Sequence, residues 1–426
     1  MSLAVSPFEN TSVDSVILMA PKTIIILATL DTKGREADFL AEQIRRLGHQ
    51  PLIVDSGLVG TPGAVAQIKR EEVAAAGGVA LAELLKKPDR AIAAPVMAAG
   101  AKRLITALVE QGRAHGIVSV GGTQGTTLST KVMRALPYGF PKIMVSTMAS
   151  GNVAPWVDIK DITMMFSVTD IMGLNPVTRK ILANAAGAVC GMANVDLTIE
   201  RRNRPLIAIT TVGITTQGAM AARRVLEDAG YETIVFHAIG AGGRAMEQMM
   251  KEGIVGAVLD YSIIEVSNEM FHALLAGGLE RLTTAGKLGL PQVIAPGALE
   301  VLVFNEPDTV PTPYRERTLI RHSPQITDVR LNKEEMAEVG KEVGRRLQNT
   351  HRPTVFMIPT AGYDSYAVAG GGFHDPESDA AFVSALRRHA PACVRIVERD
   401  VDIESAVFAT EAARTLLALI KDQEPQ

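Results

Sequence analysis

Twice in this chain a strand of buried type runs into a polar Gly/Thr loop, then an amphipathic helix, a glycine stop and a second strand. The first copy opens with Thr23-Ile-Ile-Ile-Leu-Ala-Thr29 and passes through Asp31-Thr32-Lys33-Gly34 into a helix. Ala37, Leu40, Ala41, Ile44 and Leu47 share one face of that helix, Gly48 stops it, and Pro51-Leu-Ile-Val-Asp55 returns. The second copy runs from Pro205-Leu-Ile-Ala-Ile-Thr-Thr211 through a Gly/Thr loop at 213–218. Its helical face is Ala222, Val225, Leu226 and Ala229, followed by Gly230 and Thr233-Ile-Val-Phe-His237. Uninterrupted β-branched runs need cover on both faces, and a helix between two such strands makes them parallel neighbours. Further strands are expected at 116–120, 142–146 and 162–168, and at 255–259, 292–295, 354–358 and 394–397. The chain therefore reads as α/β: two doubly wound, mostly parallel, Rossmann-like lobes with an interlobe cleft. Residues 1–20 read as an N-terminal extension or tag-like segment, 21–200 as a nucleotide-binding lobe and 201–426 as a second α/β lobe. The boundary is drawn at the charged stretch Glu200-Arg-Arg-Asn-Arg204 before Pro205.

Composition narrows the function classes. With 43 Lys+Arg against 46 Asp+Glu the net charge is −3, and aromatics make up 4%. A nucleic-acid binder would show a basic excess or stacking platforms, so none is expected, nor is a membrane-surface partner. Two distant cysteines, Cys190 and Cys393, fit a reducing cytoplasm. Glu9 and Asp14 in an N-terminus without a basic region argue against a signal peptide. A cytoplasmic location is the expectation.

Chemistry in such folds collects at strand C-termini. Gly121-Gly122-Thr123-Gln-Gly125-Thr126-Thr127 follows a strand and leads into a helix, where backbone N–H groups and the helix dipole favour an anion. The sequence lacks the Gly-Lys-Ser/Thr ending of a P-loop, so phosphate site and plain turn both remain open from the residues alone. The stretch is similar to the Gly-Gly-Asp-Gly-Thr loop of phosphofructokinases and diacylglycerol-type kinases. Asp31 caps the next helix or holds a ribose hydroxyl or Mg²⁺, and Lys33 suits phosphate as a point charge. Ser150, Gly151 and Asn152 follow a third strand. Asp158, Asp161 and Asp170 offer oxygen ligands for Mg²⁺, and Asp31 with Asp170 is the chosen pair.

The second lobe offers an anion site of its own at Thr211, Gly213 and Thr215 with Gly240, Gly242 and Gly243. Its acid/base candidates are Asp260, Glu300, Asp364 and His237; His322 and His374 lack metal-ligand spacing. No Gly-x-Ser-x-Gly elbow, His-Glu-x-x-His motif or dinucleotide Gly-x-Gly-x-x-Gly after the first strand is present.

Six stretches together resemble the Tm-one-like ATP-binding family, over about residues 22 to 415. They are Leu30-Asp-Thr-Lys-Gly-Arg-Glu36, Gly121-Gly-Thr-Gln-Gly-Thr126, Asp161-Ile-Thr-Met-Met165 with Ser167-Val-Thr-Asp170, Phe236-His-Ala-Ile-Gly-Ala-Gly-Gly-Arg-Ala-Met-Glu247, Gln292-Val-Ile-Ala-Pro-Gly-Ala298 and Phe373-His-Asp-Pro-Glu-Ser-Asp379. The resemblance implies ATP and Mg²⁺ bound in the N-terminal lobe, and a homodimer. The antiviral role of the plant namesake is not carried over. Glu300 stands where the family commonly has Asp, and Val303-Phe-Asn where it commonly has Asn-Phe-Gly. These departures fall in the second lobe. The expected function is an ATP-dependent transferase or ligase acting on a small polar or acidic metabolite. The alternatives are an ATP-responsive sensor or interaction module, and a phosphosugar-binding protein without nucleotide.

Overall fold

The computed structural model describes residues 20–86, 89–197 and 204–422. The chain divides into two compact units at Thr198/Ile199. The charged residues 200–203, where the boundary was expected, lie outside the described residues.

In the first unit, β1 (Thr23–Ala28), β2 (Gln50–Asp55), β3 (Gly116–Gly121), β4 (Lys142–Ser146) and β5 (Thr163–Phe166) form one parallel sheet in the order β2-β1-β3-β4-β5. The period of two along β1 explains its uninterrupted apolar run. Ile25 and Leu27 join a core with Met97, Ala101 and Ile105 of the helix Arg90–Glu110. Ile24, Ile26 and Ala28 join a separate core with Leu40 and Ile44 of the helix Leu30–Arg46 and Leu182 and Val189 of Pro176–Ala193. Each such Ile, Leu, Val or Met side chain, withdrawn completely from water, contributes about 1.5–3 kcal/mol. Helix Ala91–Glu110 is the one described helix long and apolar enough to cross a membrane. Here its Ala93, Met97, Ala98, Ala101, Ile105 and Leu108 are buried within this core.

The second unit holds a six-stranded parallel sheet and a smaller antiparallel one. β6 (Leu206–Thr211), β7 (Thr233–His237), β8 (Val255–Ser262), β9 (Gln292–Gly297), β13 (Thr354–Pro359) and β14 (Val394–Arg399) run in the order β14-β13-β9-β8-β6-β7. Between β9 and β13, β10 (Val301–Phe304), β11 (Leu319–Ser323) and β12 (Ile326–Arg330) make an antiparallel sheet in the order β10-β12-β11. The sequence reading missed this sheet. The β11–β12 hairpin turns at Pro324-Gln325, which carries none of the Asn-Gly or Asp-Gly signals that mark a tight hairpin. Its strands also split their faces: Leu302, Phe304 and Val329 enter one core, and Val301, Val303 and Ile326 another.

In both units the first strand is flanked by the second on one side and the third on the other. Chain crossovers leave in opposite directions there, and a crevice opens beyond the strand C-termini.

Candidate functional site

The crevice of the first unit is a cavity of about 250 Å³. Thr29, Asp31, Thr32 and Lys33 reach it from beyond β1, Gly121 from the last position of β3, and Gly122, Thr123 and Gly125 from beyond it. Ser56, Leu58 and Val59 come from beyond β2, and Ala93, Ala94 and Met97 from the helix Arg90–Glu110. The cavity thus has a polar end of hydroxyls, amides, one carboxylate and one ammonium, and an apolar wall. The sequence reading missed the β2 loop and the helical wall. The signal was present in the small-residue run Ala91-Ile-Ala-Ala-Pro-Val-Met97, which lets a helix approach closely without filling the space.

The glycine-rich stretch is shorter as a loop than it reads. The helix Thr123–Met133 begins directly after Gly122, so Gly125, Thr126 and Thr127 lie within its first two turns. The amides of that first turn have no intrahelical acceptor and carry the positive end of the dipole. None of Gly121, Gly122 and Gly125 has a positive φ. Gly122, at φ −82° and ψ −161°, sits in extended backbone open to any residue. A Cβ there would meet only Thr147 Oγ1, at 3.8 Å. Its glycine identity leaves the mouth of the helix uncovered and does not serve the backbone.

Asp31 lies in the first turn of the helix Leu30–Arg46, which is kinked at Lys33 (φ −125°, ψ 20°). Asp31 Oδ1 is buried and has no hydrogen-bond partner. Neighbouring Asp55 is fully engaged at Oδ1, accepting from Leu30 N at 3.1 Å and Gly57 N at 2.8 Å, and burial raises its pKa. Lys33 Nζ donates to Ile171 O at 2.6 Å, and Gly173 N donates to Glu36 Oε1 at 2.8 Å. Both contacts draw the 171–173 loop onto this helix. An ammonium has three protons, so Lys33 keeps donors for a second acceptor.

Several nominated residues do not line the cavity. Gly34 serves packing: a Cβ there would lie 2.5 Å from Gly63 C. Thr126 is fully buried and turns inward, bonding Gly122 O at 2.8 Å and Ser146 Oγ at 2.6 Å. Ser150, Gly151 and Asn152 are exposed, and Asn152 Oδ1 caps Ala154 N at 3.0 Å. The third strand-end loop meets the site earlier instead, where Thr123 Oγ1 donates to Met148 Sδ at 3.3 Å. Asp170 is exposed, and its Oδ1 accepts from Ile171 N at 2.8 Å. Asp158 faces Arg134 at 3.6 Å and Asp161 faces Lys142 at 2.9 Å. Among the described residues no group of three or more His, Cys, Asp or Glu is placed to hold a metal ion.

In the second unit the expected anion site is already filled by the protein. Glu265 Oε1 accepts from Gly240 N at 2.6 Å and Gly243 N at 3.0 Å, at the start of the helix Ala241–Lys251. A Cβ on Gly243 would fall 1.9 Å from Glu265 Oε2. These glycines thus admit an internal carboxylate. Gly242 admits a close backbone approach, its Cβ position lying 1.8 Å from His237 O. Thr211 and Thr215 bond each other at 3.0 Å, and Gly213 alone of the six lines the second unit's cavity of about 470 Å³.

Asp260 belongs to the same buried network. Arg281, wholly buried, binds Asp260 through two 2.6 Å contacts and Glu265 through a third, with Glu247 at 3.7 Å. Burial raises the pKa of Glu247 and Glu265 while Arg281 opposes it. Asp260 is therefore a structural partner of Arg281 and not an accessible base.

Glu300 and Asp364 do come together, as a buried pair. Asp364 Oδ1 caps Tyr366 N at 2.7 Å and Ala367 N at 2.9 Å, while its Oδ2 and both Glu300 oxygens have no hydrogen-bond partner. Burial first, then the other carboxyl, pushes Glu300 well above the usual range, and burial moves Asp364 up to about 6. Both side chains are fully buried and line neither of the two cavities described here. His237 is exposed at the end of β7 and lines the second unit's cavity with His322.

Residues 22–198 match the model of the uncharacterised protein family (UPF0261) N-terminal domain, and residues 204–420 that of the UPF0261 C-terminal domain. The chain belongs to this family. A UPF0261 protein of Clostridium tetani is 40% identical over 401 residues, 94% of this chain and 99% of that one. Another UPF0261 protein, from Rhizobium meliloti, is 40% identical over 86% of this chain and 90% of its own length. The ToMV resistance protein Tm-1(GCR237) of Solanum lycopersicum is a more distant relative, 28% identical over 70% of this chain and 40% of the tomato protein. The Tm-one resemblance thus resolves into UPF0261 membership with Tm-1 as a remote homologue. Among solved structures, a UDP-GlcNAc 2-epimerase from Neisseria meningitidis bound to UDP-GlcNAc aligns at TM-score 0.23 and 10% identity, over 64% of this chain and 82% of that one. The α/β description of this UPF0261 protein rests on its own strand topology.

Proposed function

We propose that the first unit of this UPF0261 protein binds ATP in the crevice between β1 and β3, and that the protein is an ATP-dependent enzyme acting on a small polar metabolite. The observation that supports the binding best is the two-ended cavity at the point where crossovers diverge: helix-start amides and an unpartnered Asp31 Oδ1 at one end, and an apolar wall at the other. The phosphates lie over Gly122 and Thr123, where N–H groups and the helix dipole meet negative charge without the reorganisation water needs. Lys33 supplies a positive point charge from the opposite loop. The base rests against Leu58, Val59 and Met97, the kind of surface that takes a purine ring.

A carboxylate beside a triphosphate is repulsive unless a cation lies between them. The lone Asp31 oxygen fits Mg²⁺, which takes oxygen ligands and shares its shell between one or two carboxylates and the phosphates. Mg²⁺ there would neutralise phosphate charge. A homodimer and a cytoplasmic setting belong to the same reading.

Titration calorimetry with ATP, with and without Mg²⁺, tests it. Tight binding that weakens without Mg²⁺, and that loses this Mg²⁺ dependence in Asp31→Asn, is the expected result. Binding indifferent to Mg²⁺ in both proteins removes the metal role, and no binding removes the reading. ADP formation in the presence of a pool of small polar acids separates an enzyme from an ATP-responsive sensor. The sensor is favoured by one feature: of the four nominated bases, the carboxyls Asp260, Glu300 and Asp364 are buried, which leaves His237 alone exposed.

A further inference from the structure

The second unit carries a cavity of about 470 Å³ built on a different plan from the first. Its floor is the loop after β6, with Val212 and Ile214, and the start of the helix Ile264–Met270. One wall is the antiparallel sheet. Strand periodicity turns Val301 and Val303 of β10 and Ile326 and Asp328 of β12 onto a single face. Of these four only Asp328 is polar, its side chain 5% exposed, and Arg330, next on the same face, is drawn to Asp379 at 2.7 Å. Among the described residues no hydrogen bond to the Asp328 carboxylate closes the site. The nearest cation-forming group is His322 Nδ1, at 3.9 Å, beyond hydrogen-bond reach. Nδ1 is itself engaged with Tyr366 Oη at 2.9 Å.

Protein interiors are packed to crystal-like density, and a space of this size with an aliphatic lining is typical of a small-molecule site. A buried carboxylate without a close partner is costly, and a ligand cation would relieve that cost. Burial moves the Asp328 pKa up to about 6, so above neutrality the carboxylate is charged.

We propose that this cavity is a second ligand site, independent of the ATP crevice, for a small molecule with an apolar body and a single cationic amine head seated on Asp328. The apolar body lies against Val212, Ile264, Leu275, Val301, Val303 and Ile326. The ammonium donates to the carboxylate, a charge-assisted bond in a water-poor setting.

The test uses the full chain at pH 7.5 and three six-carbon probes: hexylamine, hexanol and hexanoate. Thermal unfolding and titration calorimetry are expected to rank hexylamine first, on the order of tenfold tighter than hexanol, with hexanoate not binding. Asp328→Asn keeps the shape and removes the charge, so it should bind hexylamine and hexanol alike. Val303→Phe, which fills the space from the sheet side, should weaken both. Its unfolding midpoint shows whether the variant is folded. Three results would overturn the proposal: no probe binding to the parent protein, hexanoate or hexanol matching hexylamine, or folded Asp328→Asn retaining the amine preference.

Discussion

Glu265→Ala is the most informative perturbation of the second unit. It empties the glycine nest that the sequence presents as an anion site. In the native protein one oxygen takes two backbone N–H groups, at 2.6 and 3.0 Å, and the other takes Arg281 Nε at 2.6 Å. The substitution orphans two buried donors, each worth about 1–3 kcal/mol. Arg281 retains Asp260 but loses a second anion at a wholly buried position. The loss expected for breaking such a buried pair is about 3–5 kcal/mol, the upper part of that range being reached only if the pocket cannot collapse. For a unit of roughly 200 residues this lowers the melting temperature by about 10 °C. Circular dichroism and calorimetry report the midpoint. Chemical rescue then identifies the cause. Formate or acetate fits the vacated volume and should raise the variant's midpoint, while leaving the parent unchanged and exceeding the effect of chloride at equal ionic strength. An unchanged midpoint, or a destabilised variant deaf to small carboxylates, would refute the reading that these glycines exist to hold an internal carboxylate.

Two further expectations concern titration and reactivity. Burial raises the folded pKa of Asp328 to about 6 from an ordinary value of 3.8, so the unfolded chain releases its proton first as pH rises. Stability should fall between pH 4 and 6 by up to about 3 kcal/mol, and Asp328→Asn should lack that portion of the fall; an identical pH profile for the two proteins would contradict it. The groups facing Asp328 are His322 and, hydrogen-bonded to His322, Tyr366. Burial raises the Cys190 thiol to about 11, whereas Cys393 is half-buried. A thiol reagent at pH 8 should therefore label Cys393 first and Cys190 only on unfolding; equal rates in the folded protein would disagree with the burial.

The parallel sheets were legible because β1, β3, β6 and β8 are largely apolar, buried-type runs with helical periodicity between them. β10, β11 and β12 were not. Their strands are short, Val301-Leu-Val-Phe304 shows no alternation of polarity because both faces are covered, and the Pro324-Gln325 turn carries no hairpin signal. At the sites, sequence shows which residues follow a strand but not which way they point. Thr123 and Thr126 look equivalent in the Gly/Thr run, yet a helical turn sends the first toward the cavity and buries the second. Gly240 to Gly243 reads as an anion site and has the geometry of one. Its occupant, Glu265, sits 22 residues from Gly243, a pairing that only tertiary structure reveals.

Gly122→Val tests the central claim most directly. At φ −82° valine is unstrained, and its Cβ has 3.8 Å to the nearest atom, so the fold should tolerate it. The side chain then stands over the first-turn amides, where the phosphates are proposed to lie. By titration calorimetry, ATP affinity should fall on the order of a hundredfold as about 2–3 kcal/mol of phosphate contacts is lost, with the unfolding midpoint unchanged. Undiminished ATP binding in the folded variant would contradict the assignment of this crevice.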